Sequence, residues 1–452
     1  MTYIRNVLIF PVLLAFMAAS SAYPAEAVVP GAETLTLDDC VKAALANSPK
    51  LQEAVSTVDL NKAGVGSAKS AYLPHLSTTA SYLHYDTSKV AFGSFAISSN
   101  VANAFPAVDK RYEVLSENTA VSQLIWDFGQ TLNRIKFANE TLSASQYEFI
   151  ETQENTILNA EKGYFDAMRA QLLLEASKDN FEMIKVHLER TKGFFEVGYR
   201  QAYDVTKDEV NVANANLDLV TAKKNYEMAK VTLNNIMGNA GGTAYKVVEI
   251  GDFKPDEINL EEALKSAASN RVELSKLQAR ARAAQADLAA KKKGNWPVIS
   301  VGGSHQVSDT STPGVGNVHS WNAGPQISWP WFDGFKAKSE VEAAQANLKL
   351  AQLGIQDETL NIALEVQSAV LSLGESKERI TATAKLLQQS KEYIDIANAR
   401  YEEGLGSIIE VTDAENSVVS ARQGHASAIA DYLTSFAAYE KSVGIIARSV
   451  IK

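Results

Sequence analysis

One cysteine in 452 residues, Cys40, leaves no partner for an internal disulfide and no basis for a thiolate metal cluster. Basic residues are the minority, 43 against 53 acidic, and a net charge of -10 argues against nucleic acid as a partner. The six histidines, His75, His84, His187, His305, His319 and His425, are scattered without helical metal-ligand spacing, so no metal or other cofactor is expected. No phosphate-cradling glycine motif and no nucleophile elbow occurs, which speaks against an ATPase or a serine hydrolase and leaves no catalytic residue to name. Past the first 27 residues no stretch approaches 18 uncharged apolar residues, so no transmembrane helix is expected. A chain can still cross a membrane as strands of a closed barrel.

Proline is also sparse where it matters. None of the 11 lies between Pro106 and Pro255 or after Pro330, so two long stretches rich in Ala, Leu, Lys, Glu and Gln lack the strongest helix breaker. At the start of the chain, Arg5, the apolar run Val7 to Ala19 and the small-residue sites Ser20-Ser21-Ala22 and Ala25-Glu26-Ala27 read as a secretory signal peptide over residues 1–27.

The remainder repeats itself. Leu37-Asp38-Asp39 returns as Leu260-Glu261-Glu262, Asn47 as Asn270 and Pro74 as Pro297, each 223 positions later. Further on the separation is 206: Phe195 with Tyr401, Gly198 with Gly404, Asp204 with Glu410, Val205 with Val411. The first half therefore carries a longer loop between Pro74 and Gly129. Such self-similarity defines the architectural unit. Residues 28–238 form a first repeat, 239–257 a linker holding Gly241-Gly242, and 258–452 a second repeat.

Within each repeat, large residues recur every seven. In the second they are Val366, Leu373, Ile380, Leu387, Ile394 and Tyr401, followed three positions on by Ala369, Ser376, Thr383, Ser390 and Ala397. A sustained heptad favours long helices that supercoil left-handedly, and small residues let their backbones approach. A helix from about Phe128 to Phe195 would be ~100 Å long at ~1.5 Å per residue. Gly198 and Gly404 suit left-handed helix stops, so each repeat closes with an antiparallel helical hairpin.

Four segments, about 73–85, 112–127, 296–308 and 320–332, read as strands. In the last, Trp321, Ala323, Pro325, Ile327, Trp329 and Trp331 alternate with Asn322, Gly324, Gln326 and Ser328. All five tryptophans, Trp126, Trp296, Trp321, Trp329 and Trp331, fall in or beside these segments, where membrane-interface aromatics are expected. A soluble hairpin with a tryptophan-lined core is the other reading. Four strands cannot close a barrel, so if they enter a membrane several copies must share one, and three chains would supply twelve strands. The fold class is thus mainly α with a transmembrane β part: a duplicated helix, strand, strand, long helix, helix unit.

The Leu-Thr-Leu-Asp-Asp start with Ala43 to Pro49, the pair Trp126-Asp127-Phe128-Gly129 and Trp331-Phe332-Asp333-Gly334, and Tyr401 through Ala414 together resemble the TolC-type outer-membrane efflux channel family. The resemblance implies a homotrimer with a 12-stranded barrel in outer-membrane lipid and a coiled-coil tunnel through the periplasm. It implies docking, through hairpin tips at Gly198, Gly404, Gly406 and Ser407, on a periplasmic adaptor and an inner-membrane pump of RND, ABC or MFS type. Drug efflux, type I protein secretion and metal export would all use the same duct. By motif match, Glu410 and Asp413 take positions of an acidic ring at a closed entrance, and Asp204, Tyr401 and Arg200 those of a latch. Other roles stand beside these. Ser407 to Glu410 is a capping-box pattern, Asp204 suits a helix start, and Tyr401 ends a heptad series. Gly406 departs from the family, which often has a basic residue there. Lys291-Lys292-Lys293 reads as a solvated collar. The rival function is a periplasmic coiled-coil scaffold or adaptor without a pore.

Overall fold

The computed structural model describes residues 34–86, 111–239, 245–248, 258–311 and 317–446. The expected signal peptide lies outside these residues, as does most of the expected linker. The chain begins with β1 (Thr34–Leu35), α1 (Leu37–Asn47) and α2 (Pro49–Ser70). A hairpin follows, β2 (His75–Asp86) and β3 (Arg111–Trp126), then the helices α3 (Gln130–Glu196) and α4 (Ala202–Ile236). After β4 (Lys246–Val247) the order recurs: α5 (Leu260–Asn270), α6 (Val272–Lys291), β5 (Val298–Thr310), β6 (Val318–Ser328), α7 (Lys336–Glu402) and α8 (Ile408–Val443).

The repeat is matched closely in the helices, two pairs of which have equal lengths. α1 and α5 both have 11 residues, and α3 and α7 both have 67. α1 starts on a full capping box, the Thr36 hydroxyl accepting from the Asp39 amide while the Asp39 carboxylate accepts from Thr36. The heptad positions face inward: Val366, Leu373, Ile394 and Tyr401 are buried, and so are Ser376, Ser390 and Ala397 between them. α3 packs against α1, α2, α4, α6 and α8, whereas α7 touches only α5, α6 and α8 to any extent. α7 consequently leaves a leucine stripe in the open, Leu350, Leu353, Leu360, Leu364 and Leu371. α4 leaves another, with Tyr203, Val210, Leu217 and Val231 at multiples of seven. Among the described residues no helix is long and apolar enough to cross a membrane.

The linker region carries a short piece of structure that its glycines hide. Lys246 and Val247 pair in parallel with Thr34 and Leu35. The Tyr164 hydroxyl, buried on α3, donates toward the carbonyls of Leu35 (3.1 Å) and Val248 (2.7 Å), fixing both segments against the core.

The four long strands form one antiparallel sheet in the order β2-β3-β5-β6, with β2 and β6 at its edges. Its two faces differ. One carries Ser77, Thr79, Ser81, Ser116, Asn118, Ser304, Gln306, Ser320, Asn322 and Gln326. The other presents Leu76, Tyr82, Leu115, Val121, Trp321 and Ile327, all exposed, beside Glu113, Glu117, His305 and His319, and the first face also holds Leu83 and Tyr85. The pairing slips between Leu124 and Trp126, so Ile125 bulges and Trp126 stands opposite Ile299 on the apolar face. β6 ends at Ser328, four residues earlier than its alternation suggests. Pro330 has no amide to continue the ladder, and the Trp329 indole donates to the Asn295 carbonyl at 3.1 Å. Trp329 and Trp331 instead pack against each other at a tilt beyond the strand, ring centres 4.9 Å apart.

The strand-to-helix corners are built alike. Asp127 receives the amides of Gly129 (3.1 Å) and Thr131 (2.6 Å), and Asp333 receives that of Ala337 (2.8 Å). Each corner holds two successive left-handed residues, Phe128-Gly129 and Gly334-Phe335. Two phenylalanines in that conformation are strained, and the aspartates hold the strain in place. Asp127→Ala removes a buried cap and is expected to lower the stability of α3 by about 1 kcal/mol. An unchanged midpoint in urea unfolding followed by helical circular dichroism would contradict this.

Candidate functional site

The tips of the two hairpins lie side by side. Each long helix ends in a left-handed glycine, Gly198 (φ 76°) and Gly404 (φ 75°). The amide of Tyr199 returns to the Phe194 carbonyl at 2.8 Å, and that of Leu405 to the Arg400 carbonyl at 2.8 Å. A Cβ on Gly404 would stand 3.4 Å from the Tyr199 hydroxyl, a measure of how closely the turns approach. Gly406 is tighter, since a Cβ there would meet the Arg400 Cβ and the Tyr401 amide at 3.1 Å. A side chain at this position would require its neighbours to give by a few tenths of an ångström.

The basic groups of the tip come from elsewhere. Arg200 Nη2 donates to the Tyr401 carbonyl at 2.5 Å, and its guanidinium lies 3.8 Å over the Tyr401 ring. This contact joins the first turn to the end of α7. Arg190 on α3 reaches Glu402 at 3.0 Å across the same gap. Arg400 supplies a charge within the second hairpin, Nε standing 3.4 Å from the Glu410 carboxylate.

Ser407 caps α8 by accepting the Glu410 amide at 3.3 Å. The Glu410 carboxylate is turned toward Arg400, so only half of a reciprocal capping box is made. Asp413 is one turn further and exposed, on the side of α8 away from buried Val411, Ala414 and Val418. Asp204 is half-buried in the first turn of α4. Within one chain Tyr401 is buried, and its hydroxyl has no hydrogen-bond partner among the described residues, Asp204 included.

Behind the tips lies a polar cluster that no motif announces. His187 and Thr191 on α3, Asp208 on α4, Tyr401 on α7 and Glu415 on α8 are all buried. His187 Nε2 stands 3.5 Å from Asp208 Oδ2, and the His187 and Tyr401 rings lie 5.4 Å apart. Neither oxygen of Asp208 has a hydrogen-bond partner among the described residues. Burial raises the Asp208 carboxyl and lowers the His187 imidazole. Burial, with the Asp208 charge beside it, pushes Glu415 up to about 7. In sequence these residues sit at ordinary heptad-core spacings, and only the convergence of four helices makes a cluster of them.

A carboxyl raised on packing favours the packed state while protonated. Glu415 therefore supports tip packing fully below pH ~4.5, and the support is lost as pH rises through about 7. A shift of that size is worth about 3 kcal/mol. His187 acts oppositely, its support fading as pH falls below ~6.5. Amide exchange at residues 187–212 and 400–416 is expected to quicken between pH 6 and 8, after correction for intrinsic exchange, and Glu415→Gln to flatten that rise. An identical rise in the variant would contradict the assignment.

The sequence of the whole molecule agrees with the geometry. A family model described as "Outer membrane efflux protein" matches residues 40–239 and 263–444. The chain is 24% identical over 414 residues to Outer membrane protein TolC of Escherichia coli (strain K12), covering 88% of this chain and 80% of that one. It is 21% identical over 418 residues to Nodulation protein T of Rhizobium leguminosarum bv. trifolii, covering 90% and 85%. In three dimensions it is similar to the Campylobacter jejuni CmeC outer membrane channel, with a TM-score of 0.76 and 18% identity, covering 91% of this chain and 86% of that one. With both halves matched, the chain belongs to the outer membrane efflux protein family.

Proposed function

We propose that this outer-membrane channel is the exit duct of a tripartite export system, built by three copies of the chain. The observation that carries the reading is the open sheet. Among the described residues β2 and β6 each pair on one side only, while one sheet face is richer in large apolar residues and the other in Ser, Thr, Asn and Gln. In hydrocarbon every unpaired backbone group costs several kcal/mol, so the edges must meet other strands. β6 of one copy pairing with β2 of the next closes a barrel of twelve strands after three copies. The apolar face then meets lipid and the polar face lines the lumen. Trp321 near one end of β6 and Trp329 beyond the other are ~26 Å apart along the strand at ~3.3 Å per residue. That is close to the ~25 Å apolar band of such barrels. The leucine stripe on α7 and the heptad stripe on α4 supply matching seams for neighbouring hairpins.

The ~100 Å helices carry the conduit away from the membrane. Their tips form the far entrance, where Gly198, Gly404, Gly406 and Ser407 meet a periplasmic adaptor and, through it, an inner-membrane pump. Glu410 and Asp413 from three copies set six carboxylates around the axis, a ring that attracts cations and resists anions. The latch within each chain is Arg200 on Tyr401, whose hydroxyl is buried inside the chain; half-buried Asp204 is left for the seam with the next copy. A pore-free scaffold has no use for a two-faced sheet with bare edges, so the duct is the preferred reading.

Reconstituted in planar bilayers, the chain is expected to give small, mostly closed conductances. Arg200→Ala should raise them several-fold by freeing the second turn. Glu410→Gln with Asp413→Asn should weaken block by multivalent cations by tenfold or more. No conductance from inserted protein would overturn the duct, and a block unaffected by the double variant would remove the ring.

A further inference from the structure

Where α6 ends and β5 begins, lysines gather in a chain that is otherwise acidic. Lys291, Lys292 and Lys293 close α6, and Lys336 and Lys338 open α7 directly beside them. Between the two helix ends lies an open recess of about 440 Å³, lined by Lys291, Lys292 and Lys338 together with Asn295, Trp296 and Glu342. That volume lies in the range of small-ligand pockets, ~300–1,000 Å³.

The charges are only partly matched. Lys291 and Lys336 share Glu340, at 3.1 and 3.9 Å, and Lys338 meets Glu342 at 3.9 Å. Five ammonium groups thus face two carboxylates. Lys293 lies 3.8 Å over the Trp296 ring, which holds that indole against the basic patch. Lysines near a helix C-terminus ease its dipole, but this accounts for the last turn of α6 and not for those opening α7.

The first repeat lacks the feature. At the corresponding positions Ala68, Lys69 and Ser70 replace the lysine triplet, and Gln130 and Leu132 replace Lys336 and Lys338. The duplicated fold does not need the cluster, so its scaffold role is dispensable. The recess also stands beside the exposed aromatics Trp296, Trp329, Trp331 and Phe335, at the level where the strands leave the lipid.

We propose that this recess binds the phosphate head group of an anionic phospholipid, one per chain, with Trp296 against the glycerol and upper acyl region. Basic side chains at a membrane surface hold such lipids, and charge-assisted hydrogen bonds to phosphate are stronger than neutral ones. This rests on the barrel reading of the strands.

The test uses the full-length oligomer, reconstituted in phosphatidylethanolamine vesicles containing phosphatidylglycerol and re-extracted gently. Native mass spectrometry counts the retained lipid. Phosphatidylglycerol is expected to be retained over phosphatidylethanolamine by tenfold or more. K292Q with K338Q should abolish the preference, K292R with K338R should keep it, and K223Q with K224Q, equal in charge change on α4, should leave it intact. Protein that inserts and conducts but retains both lipids equally overturns this inference alone, as does equal loss in the α4 control. Displacement by millimolar glycerol phosphate would make the ligand a soluble phosphate and overturn the lipid assignment. Protein that does not insert in any vesicle overturns the barrel reading and this inference with it.

Discussion

Backbone hydrogen bonding at the edges of the four-stranded sheet constrains everything else in this chain. A soluble sheet can leave its outer strands to water, but one whose apolar face meets lipid cannot. β2 and β6 are 12 and 11 residues long, about the length of a tilted membrane strand. The chain thus carries one third of a closed wall, and the duplicated hairpins give that third its internal regularity. The helices inherit the same requirement. α3 is wrapped by its own chain, while α7 and α4 keep apolar seams that only neighbours can cover.

At the opposite end the problem is reversed. The tips must stay packed and yet be able to part: the second hairpin keeps an apolar core from Ile394 to Val418 with Phe194 against it, while the contacts that tie the two turns together are largely polar. Arg200 spans the two turns through one carbonyl and one ring face, and the ion pairs around it are exposed enough to be individually weak. Behind them, His187 and Asp208 are buried without full hydrogen bonding beside buried Glu415, which is costly and therefore easily tipped. A dry leucine layer at the same level would be firmer and slower to yield.

Most of the architecture was legible because it repeats. The heptads of Val366 to Tyr401 and the alternation about Trp321 each point to one period, and the second copy of each removes ambiguity. What escaped was set by contacts between distant residues. The bulge at Ile125, which turns Trp126 onto the apolar face, has no local signature, and the end of β6 at Ser328 depends on Trp329 finding the Asn295 carbonyl. Lys246 and Val247 looked like linker because their partner strand is two residues long and more than two hundred positions away. At the tips, motif matching pointed to Glu410, Asp413, Asp204, Tyr401 and Arg200. It passed over Arg400, which pairs with Glu410 and packs closely against Gly406. It also passed over the buried cluster, whose members are spaced like any core residues.

The most direct measurement is of the edges themselves. Since Cys40 is the sole native cysteine and is buried, cysteines introduced singly along β2 and β6 can be paired in membrane-embedded protein. The account predicts cross-links between chains only, stepping in register along the two strands with a period of two and building products of up to three copies. Cross-links confined to single chains, or none while the strands remain shielded from water-soluble thiol reagents, would contradict it.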